Sequence, residues 1–333
     1  ADMSPLVSVV LPVRNGGKFL QESVGSILSQ TFEKLELLLV DDHSTDEAIS
    51  ALDKSDRRLK VFKCKGNGVV DAFNTGAEIA RGEFIARMDA DDISLPGRIR
   101  CQMEFMDTHP DIDICGCCVD IFSDAGIKGG LERYQGWLNS VCEPQDIHQQ
   151  IFIESPLPNP GLLFREAVLS QLGGYRNIGW PEDYDLLLRA DAADMRMGKP
   201  QPVLLRWREH ESRLTHTDPL YKRKKFMQAK SYFLVKSRLQ ARPVVIWGAG
   251  PTGRLMFDLL TAEGANIEGF IEVHPRRIGG LKRGLPVWAI DKVKTLGDVM
   301  LLIAVGAAGA REEIAAYLHR HDKVPGEDYL FVA

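Results

Sequence analysis

The chain has 333 residues, a formal net charge of −5 and a hydrophobic content of 44%. This length predicts two domains, and the mild acidity excludes binding to nucleic acid or an anionic membrane through overall charge alone. No apolar run is long enough to cross a membrane. The first residues lack the layout of a signal peptide, and six sparse cysteines indicate reduced thiols, so we expect a cytoplasmic protein.

The first hundred residues alternate between strand-like and helix-like patterns. Continuous apolar, β-branched runs predict buried strands at 6–13, 35–42, 58–64 and 83–89. The segments between and after them predict helices at 18–30, 45–54, 70–81 and 96–109. Such alternation predicts an α/β fold built on a mostly parallel, doubly wound sheet.

The pattern loosens beyond residue 110, where one further strand is predicted at 111–122. A basic, helix-like stretch then runs to residue 240, and a second strand–helix pattern begins at 242. We therefore expect a first domain over 1–219, a linker helix over 220–241 and a small Rossmann-like domain over 242–333.

Acidic side chains follow two of the predicted strands. Asp41 and Asp42 end the second strand, and Asp89, Asp91 and Asp92 crowd into four positions at the end of the fourth. Open α/β sheets bind ligands at the carboxyl ends of their strands. A divalent cation such as Mg²⁺ or Mn²⁺ would neutralise Asp89 and Asp91. Turn-forming aspartates that cap the next helix would explain the same spacing, which alone favours neither interpretation.

Four motifs, taken in order, carry a resemblance to a known family. They are VSVVLPVRNGGKFL at 7–20, LELLLVDDHSTD at 35–46, NTGAEIARGEFIARMDADD at 74–92 and WPEDYDLLLRA at 180–190. Together they resemble family 2 glycosyltransferases with the GT-A fold, which would then form the first domain. The resemblance implies a nucleotide-sugar donor, usually a UDP-sugar, inversion at the anomeric carbon, and Mn²⁺ or Mg²⁺.

The resemblance also implies roles for residues that match the family's motifs. Nucleotide-binding positions are Pro12, Arg14, Asn15, Asp42, Asp89 and Arg208. In the Asp-x-Asp motif, Asp91 matches the direct metal ligand and Asp89 lies nearer the ribose, while His210 would approach the ion or the diphosphate. One departure is visible. Phe73 stands where many relatives have an arginine, so any donor contact from that arginine must be absent or supplied elsewhere.

Asp183 matches the catalytic base of the family, and Glu182 beside it is a second candidate as a contact to the acceptor. The reaction needs a carboxylate that takes the hydroxyl proton of the acceptor as it attacks. Pro181 followed by two acidic residues is also a good helix start, so a capping role is the alternative.

The small domain carries Gly-x-Gly-x-x-Gly, with Gly248, Gly250 and Gly253 between a predicted strand and a helix. Glu272 ends the next predicted strand, as the dinucleotide fingerprint requires. The segment has only half the length of a full dinucleotide-binding domain. Binding of a nucleotide and a purely structural or docking role therefore both stay open.

Nearly the whole chain also resembles queuosine-tRNA galactosyltransferases, through the segments 134–139 and 206–216 and the appended small domain. This resemblance implies tRNA as an acceptor beside a saccharide. A basic run at 222–225 would suit a polyanionic acceptor, although such runs are commonly a solvated helix face.

Three other classes of protein fit the sequence less well. A nucleotidyltransferase needs a better Gly-rich loop than Gly16-Gly17-Lys18 and leaves Asp183 unexplained. An NAD(P)-binding oxidoreductase would explain only the small domain. A non-catalytic nucleotide-binding protein would have no use for the acidic residues at the motif positions.

Overall fold

The computed structural model describes residues 6–333, which fold into two compact units. The described part of the first unit contains residues 6–144, 156–178 and 185–218. The second unit contains residues 145–155, 179–184 and 219–333. The stretch expected to form a linker helix therefore belongs to the second unit, together with two short segments from the middle of the chain.

The strands of the first unit are β1 (Val7–Val13), β2 (Leu35–Asp41), β3 (Leu59–Lys63), β4 (Phe84–Arg87), β5 (Ile93–Ser94), β6 (Ile114–Cys115), β7 (Cys118–Phe122), β8 (Leu163–Arg165), β9 (Met197–Gly198) and β10 (Val203–Arg208). Those of the second unit are β11 (Val244–Trp247), β12 (Ile267–Ile271), β13 (Leu281–Lys282), β14 (Leu285–Trp288), β15 (Met300–Ile303) and β16 (Tyr329–Phe331).

The α-helices are α1 (Leu20–Leu28), α2 (Gly68–Ile79), α3 (Arg98–Thr108), α4 (Gly129–Ser140), α5 (Pro144–Gln150), α6 (Glu166–Leu172), α7 (Glu182–Ala192), α8 (Leu214–Thr217), α9 (Arg223–Phe233), α10 (Pro251–Ala262) and α11 (Ala310–His319). A short 3₁₀ turn, Pro219–Tyr221, precedes α9, and a π-helical turn, Leu234–Arg238, follows it.

The main sheet of the described first unit has the order β3-β2-β1-β4-β8-β6-β9. Strand β1 is parallel to both of its neighbours, with Val13 opposite Asp41 and Val10 opposite Arg87. The loops that follow β2 and β4 therefore leave the sheet at the same edge, as the sequence predicts. A smaller sheet has the strand order β5-β10-β7. Its strand β5 comes shortly after the end of β4, and β10 is the strand that contains Arg208.

Buried apolar side chains explain the central strands. Every residue of β1, β2 and β4 is buried, because α1 and α3 pack on one face of the sheet and α2 packs on the other. Helix α2 approaches β1 closely at Gly76, where an added Cβ would lie 2.4 Å from Val10 Cγ1. Glycine is therefore required there by packing.

The helix predicted at 45–54 is wrong, since this segment forms turns. Asn15 Oδ1 accepts the backbone N–H of Thr45 at 2.7 Å, and Asp46 Oδ2 accepts that of Gly17 at 2.8 Å. These hydrogen bonds to the loop after β1 hold the segment in a turn conformation that competes with a helix. Only Leu52 of the segment is buried, so no apolar face stabilises a helix here.

The strand predicted at 111–122 is two strands that join different sheets, β6 in the main sheet and β7 in the smaller one. The chain turns between them at Gly116, whose N–H donates to Gly198 O at 2.9 Å. The fourth strand ends earlier than predicted, at Arg87, which leaves Asp89 two residues beyond it.

The second unit is built on the sheet β13-β14-β12-β11-β15-β16, in which β11 is parallel to both β12 and β15. Its core contains Val245, Trp247, Ile271, Leu301 and Ile303, among other apolar side chains. This arrangement agrees with the predicted small Rossmann-like fold.

None of the helices that the structure describes combines the length and apolar character needed to cross a bilayer. The sulfurs of Cys118 and Cys142 lie 3.8 Å apart. A disulfide bond is about 2.05 Å long, so these two sulfurs are not bonded, as expected for thiols.

Lys230 of α9 offers a test of the second unit's stability. Its Nζ is buried and donates to the carbonyls of Ile153 at 2.7 Å and Val332 at 3.2 Å. Burial lowers the pKa of this ammonium from 10.5 to about 8. The unfolded chain therefore binds more protons than the folded chain between these values, so stability rises with pH across this window.

We expect the free energy of unfolding of the natural protein to rise, relative to Lys230→Met, by up to about 3 kcal/mol between pH 8 and 10.5. Urea denaturation of both proteins across this range measures the difference. Subtracting the variant's profile removes the contribution of every other titrating group. A flat difference would show that the lysine is not desolvated in the folded protein.

Candidate active site

Three aspartates form the acidic cluster that follows β4: Asp89, Asp91 and Asp92. One potential ligand oxygen from each lies within 4.8 Å of the others. Asp89 and Asp91 are half-buried, whereas Asp92 is 1% exposed. The sequence interpretation of a shared site is therefore consistent with the positions of all three carboxylates.

Strand β10 fixes the acidic cluster through Arg208. The Arg208 backbone N–H donates to Asp92 Oδ1 at 2.7 Å, and its Nε donates to Asp91 O at 2.7 Å. Its guanidinium also bonds the Glu22 carboxylate and lies over the ring of Phe19, 4.3 Å from the centroid. The predicted nucleotide-binding Arg208 thus stands beside the cluster and shapes its loop.

The electrostatics of the cluster fit a cation. Burial, reinforced by the neighbouring Asp91 and Asp89 charges, raises the pKa of Asp92 well above its usual range. Burial also raises the pKa of Asp89, against the lowering effect of Arg87. Asp92 Oδ2 is buried and accepts no hydrogen bond from any described residue. A buried carboxylate oxygen without a hydrogen bond, surrounded by other carboxylate oxygens, suits a bound Mg²⁺ or Mn²⁺.

His210 lies directly against the acidic cluster. Its Nε2 is 2.8 Å from Asp91 Oδ2, and its Nδ1 is 2.9 Å from Ser212 Oγ. Imidazole nitrogen is an acceptable ligand for Mn²⁺ and related ions. The structure therefore brings together two of the residues that the resemblance implies for the metal, although 119 positions separate them in the chain.

The nucleotide-binding candidates from the first two strands lie at the same edge of the sheet. Asp42 directly follows β2, and both of its carboxylate oxygens accept the Gly68 N–H at 3.0 Å. The Arg14 guanidinium is 3.7 Å from Asp42 Oδ2 and is largely exposed. Asn15, at a positive φ of 53°, uses its side chain to hold the loop after β2, and Pro12 lies within β1.

Phe73, which stands in place of an arginine, is fully buried and stacks on Tyr175 with ring centroids 4.4 Å apart. The guanidinium of Arg87 lies 5.6 Å from the Phe73 ring centroid. Arg87 Nη2 is also 2.6 Å from Asp89 Oδ1. A positively charged side chain therefore does lie beside the acidic cluster. It is Arg87 of β4, whereas position 73 of α2 holds a phenylalanine.

Glu182 and Asp183 form the first turn of α7, where the resemblance places the catalytic base. Asp183 is half-buried, and its Oδ1 accepts the Tyr184 N–H at 2.7 Å. Glu182 is 2% exposed, and its Oε2 accepts a hydrogen bond from the Tyr221 hydroxyl at 2.7 Å. This arrangement satisfies the helix-start interpretation and leaves the catalytic role of Asp183 as a prediction.

The glycine-rich loop of the second unit joins β11 to α10. Gly253 packs so closely that an added Cβ would lie 1.7 Å from Gly248 O. Glu272 follows β12 and accepts the Ala249 N–H at 3.3 Å and a bond from Arg277 at 2.9 Å. Burial opposes ionisation of Glu272, but the Arg277 and backbone bonds hold its pKa below the usual value. The protein's own groups thus surround this carboxylate, and nucleotide binding and a structural or docking role both stay predictions.

Two features of the site could not be read from the sequence pattern. The pairing of Glu22 with Arg208 joins residues 186 positions apart. The bond from Tyr221 to Glu182 joins a helix start to a turn in a different segment. Neither pair belongs to a sequence motif. The only signal in the sequence is that each pair combines an acidic residue with a long side chain that can donate a hydrogen bond.

Two solved structures match the fold of this chain. Staphylococcus aureus TarS in complex with UDP-GlcNAc matches with a TM-score of 0.56 and 18% identity, over 77% of this chain and 71% of that one. The mannosyltransferase PcManGT of Pyrobaculum calidifontis, in complex with GDP-Man and Mn²⁺, matches with a TM-score of 0.50 and 19% identity, over 71% and 64% of the two chains. These matches confirm the predicted GT-A-type α/β fold.

Relatives in sequence point the same way. An uncharacterised glycosyltransferase of Haemophilus influenzae is 30% identical over 62% of this chain and 66% of its own length. EpsE of Bacillus subtilis, which is named as a glycosyltransferase, is 33% identical over 62% of this chain and 73% of its own length. The model of glycosyl transferase family 2 matches residues 8–173, which include the acidic cluster. The chain therefore belongs to glycosyltransferase family 2.

Proposed function

We propose that this protein transfers a sugar from a UDP-sugar to an acceptor hydroxyl, with inversion at the anomeric carbon. The observation that carries the proposal is the acidic cluster with His210 against it, at the strand edge where α/β sheets bind nucleotides. Membership of glycosyltransferase family 2 supports the reaction class. The UDP-GlcNAc complex of TarS supports a UDP-sugar as donor.

The metal site consists of Asp91 with Asp89 and His210 beside it. A bound Mn²⁺ or Mg²⁺ would neutralise the negative charge of the nucleoside diphosphate. The PcManGT structure is a complex with Mn²⁺, which supports a divalent ion as the cofactor. Arg208, whose guanidinium stands beside the cluster, adds a fixed positive charge for the diphosphate.

The nucleoside is assigned to the edge formed by β1 and β2. Asp42 is the proposed partner of the uracil, with Pro12, Arg14 and Asn15 around it. Asp89 is the proposed contact to the ribose. The hydrogen bonds that fix Asp42 and Asn15 keep their side chains in one orientation before the donor binds, which lowers the cost of ordering them.

Asp183 is the proposed general base. Its carboxylate takes the proton of the acceptor hydroxyl while that oxygen bonds to the anomeric carbon, and the bond to the UDP oxygen breaks with its electron pair going to UDP. Glu182, the second candidate, is buried against Tyr221 beside this base. The partly exposed position of Asp183 in the first turn of α7 supports access for a proton.

A saccharide is the proposed acceptor, and tRNA carrying queuosine is the alternative. The observation that favours tRNA is the exposure of Lys222, Arg223 and Lys224 at the start of α9. Cations are unfavourable at a helix N-terminus, so this placement is not explained by helix stability. The comparisons name no acceptor, and the cytoplasmic location expected from the cysteines stays a prediction.

The test is release of UDP from a panel of UDP-sugars, with GDP-mannose alongside, in Mn²⁺ or in EDTA. We expect release from at least one UDP-sugar in Mn²⁺ and little in EDTA. Saccharides and queuosine-containing tRNA, each at two salt concentrations, identify the acceptor, because phosphate contacts weaken steeply with salt. Absence of UDP release with every donor, together with a thermal shift by NAD, would favour the oxidoreductase alternative.

A further inference from the structure

One tyrosine donates a hydrogen bond to the buried carboxylate of Glu182. Tyr221 ends the 3₁₀ turn before α9, and its hydroxyl donates to Glu182 Oε2 at 2.7 Å. Glu182 is 2% exposed. A carboxylate removed from water needs strong hydrogen bonds, and a hydroxyl aimed at a charged oxygen supplies one. The tyrosine therefore stabilises the acidic residue that immediately precedes the proposed base.

Two ring contacts hold the neighbours of Glu182 in the same unit. The Trp180 and Tyr232 rings lie 5.5 Å apart, and the Tyr184 and Phe226 rings lie 5.7 Å apart. The Tyr184 hydroxyl also donates to Ile151 O at 2.6 Å. Residues 180–184 are thus held on both sides of Glu182 by the region of α9.

We propose that Tyr221 is a positioning residue for the transfer reaction, acting through Glu182 on the turn that presents Asp183. The inference rests on the proposed function, in which Asp183 is the base. General-base catalysis requires the carboxylate to be within hydrogen-bond reach of the proton, and a displacement of about 1 Å is costly. The second unit then contributes to catalysis through Tyr221, although its glycine-rich loop has no assigned catalytic role.

Replacing Tyr221 by phenylalanine removes the hydroxyl and keeps the ring. We expect Tyr221→Phe to lower kcat by about tenfold and to leave the Kd for UDP in Mn²⁺ within about twofold. Tyr317→Phe is the matched control. Its hydroxyl donates to Ile290 O at 3.2 Å in the same unit, and we expect that variant to keep its full kcat.

A double-mutant cycle separates positioning from a general structural role. If Tyr221 acts through Glu182, adding Tyr221→Phe to Glu182→Gln should lower kcat little further. Independent losses that multiply, or a lowered melting temperature that accounts for the loss of kcat, would overturn the inference.

Hydrogen–deuterium exchange gives a readout that does not depend on activity. Tyr221→Phe should raise exchange of the amides at 180–186 at least about fivefold, while the rest of the second unit is unchanged. Unchanged exchange, or raised exchange with full kcat, overturns the inference and leaves the proposed function intact. A natural protein that releases no UDP from any donor overturns the proposed function and the inference with it.

Discussion

Replacing Asp183 by asparagine is expected to lower the turnover number about 10²- to 10⁴-fold and to leave the Kd for UDP within about twofold. The amide keeps the shape of the side chain and still accepts the Tyr184 N–H, but it cannot take a proton from the acceptor. Because the loss occurs only in the transition state, kcat and kcat/KM should fall together. Steady-state kinetics and calorimetry with UDP measure the two quantities.

The control for this prediction is Asp146→Asn. Asp146 is also an aspartate in the first turn of a helix of the second unit, so this variant loses the same favourable charge near the helix dipole. Full turnover is expected there. If Asp183→Asn instead lowers UDP affinity and melting temperature together, the helix-start interpretation of Asp183 is correct and the base lies elsewhere.

Asp91→Asn is expected to abolish the dependence of UDP binding on Mn²⁺. In the natural protein, calorimetry should show tighter UDP binding in Mn²⁺ than in EDTA, because the ion links the acidic cluster to the diphosphate. The amide removes the charge that holds the ion and keeps the shape. The variant should therefore bind UDP equally in both buffers, with turnover lowered by at least about tenfold.

Asp111→Asn is the matched control for Asp91→Asn. Asp111 is an exposed aspartate of the same unit that pairs with Arg196 at 3.0 Å, and its loss should leave the effect of Mn²⁺ unchanged. Equal UDP affinity in Mn²⁺ and EDTA for the natural protein would contradict the metal site itself. The cluster would then be a turn that caps the following helix.

The central strands were predictable because burial on both faces selects continuous apolar, β-branched runs. The helix predicted at 45–54 failed for a physical reason, since capping and turn residues look alike in sequence. Thr45 and Asp46 can start a helix, but here their N–H groups bond Asn15, which lies 30 positions away or more. A local pattern cannot reveal such a competitor.

The site was predicted in outline by motifs and completed by contacts between distant segments. The three aspartates lie within four positions of the sequence, so their grouping could be predicted once the end of the preceding strand was known. The approach of His210 to Asp91 follows from the pairing of β10 with β5 and β7, which the loosened pattern beyond residue 110 did not predict. The contact of the Arg87 guanidinium with the Phe73 ring likewise depends on two elements packed together.

The second unit draws on three separate stretches of chain, and this has a consequence for biosynthesis. Residues 179–184 are made long before the strand Tyr329–Phe331 and the carbonyl of Val332 that help to complete their unit. A nascent chain that has reached residue 240 therefore contains the residues proposed to bind the donor. It lacks the later strands that complete the unit to which the proposed base belongs. We expect ribosome-bound intermediates and chains truncated near residue 240 to bind UDP and to lack transfer activity.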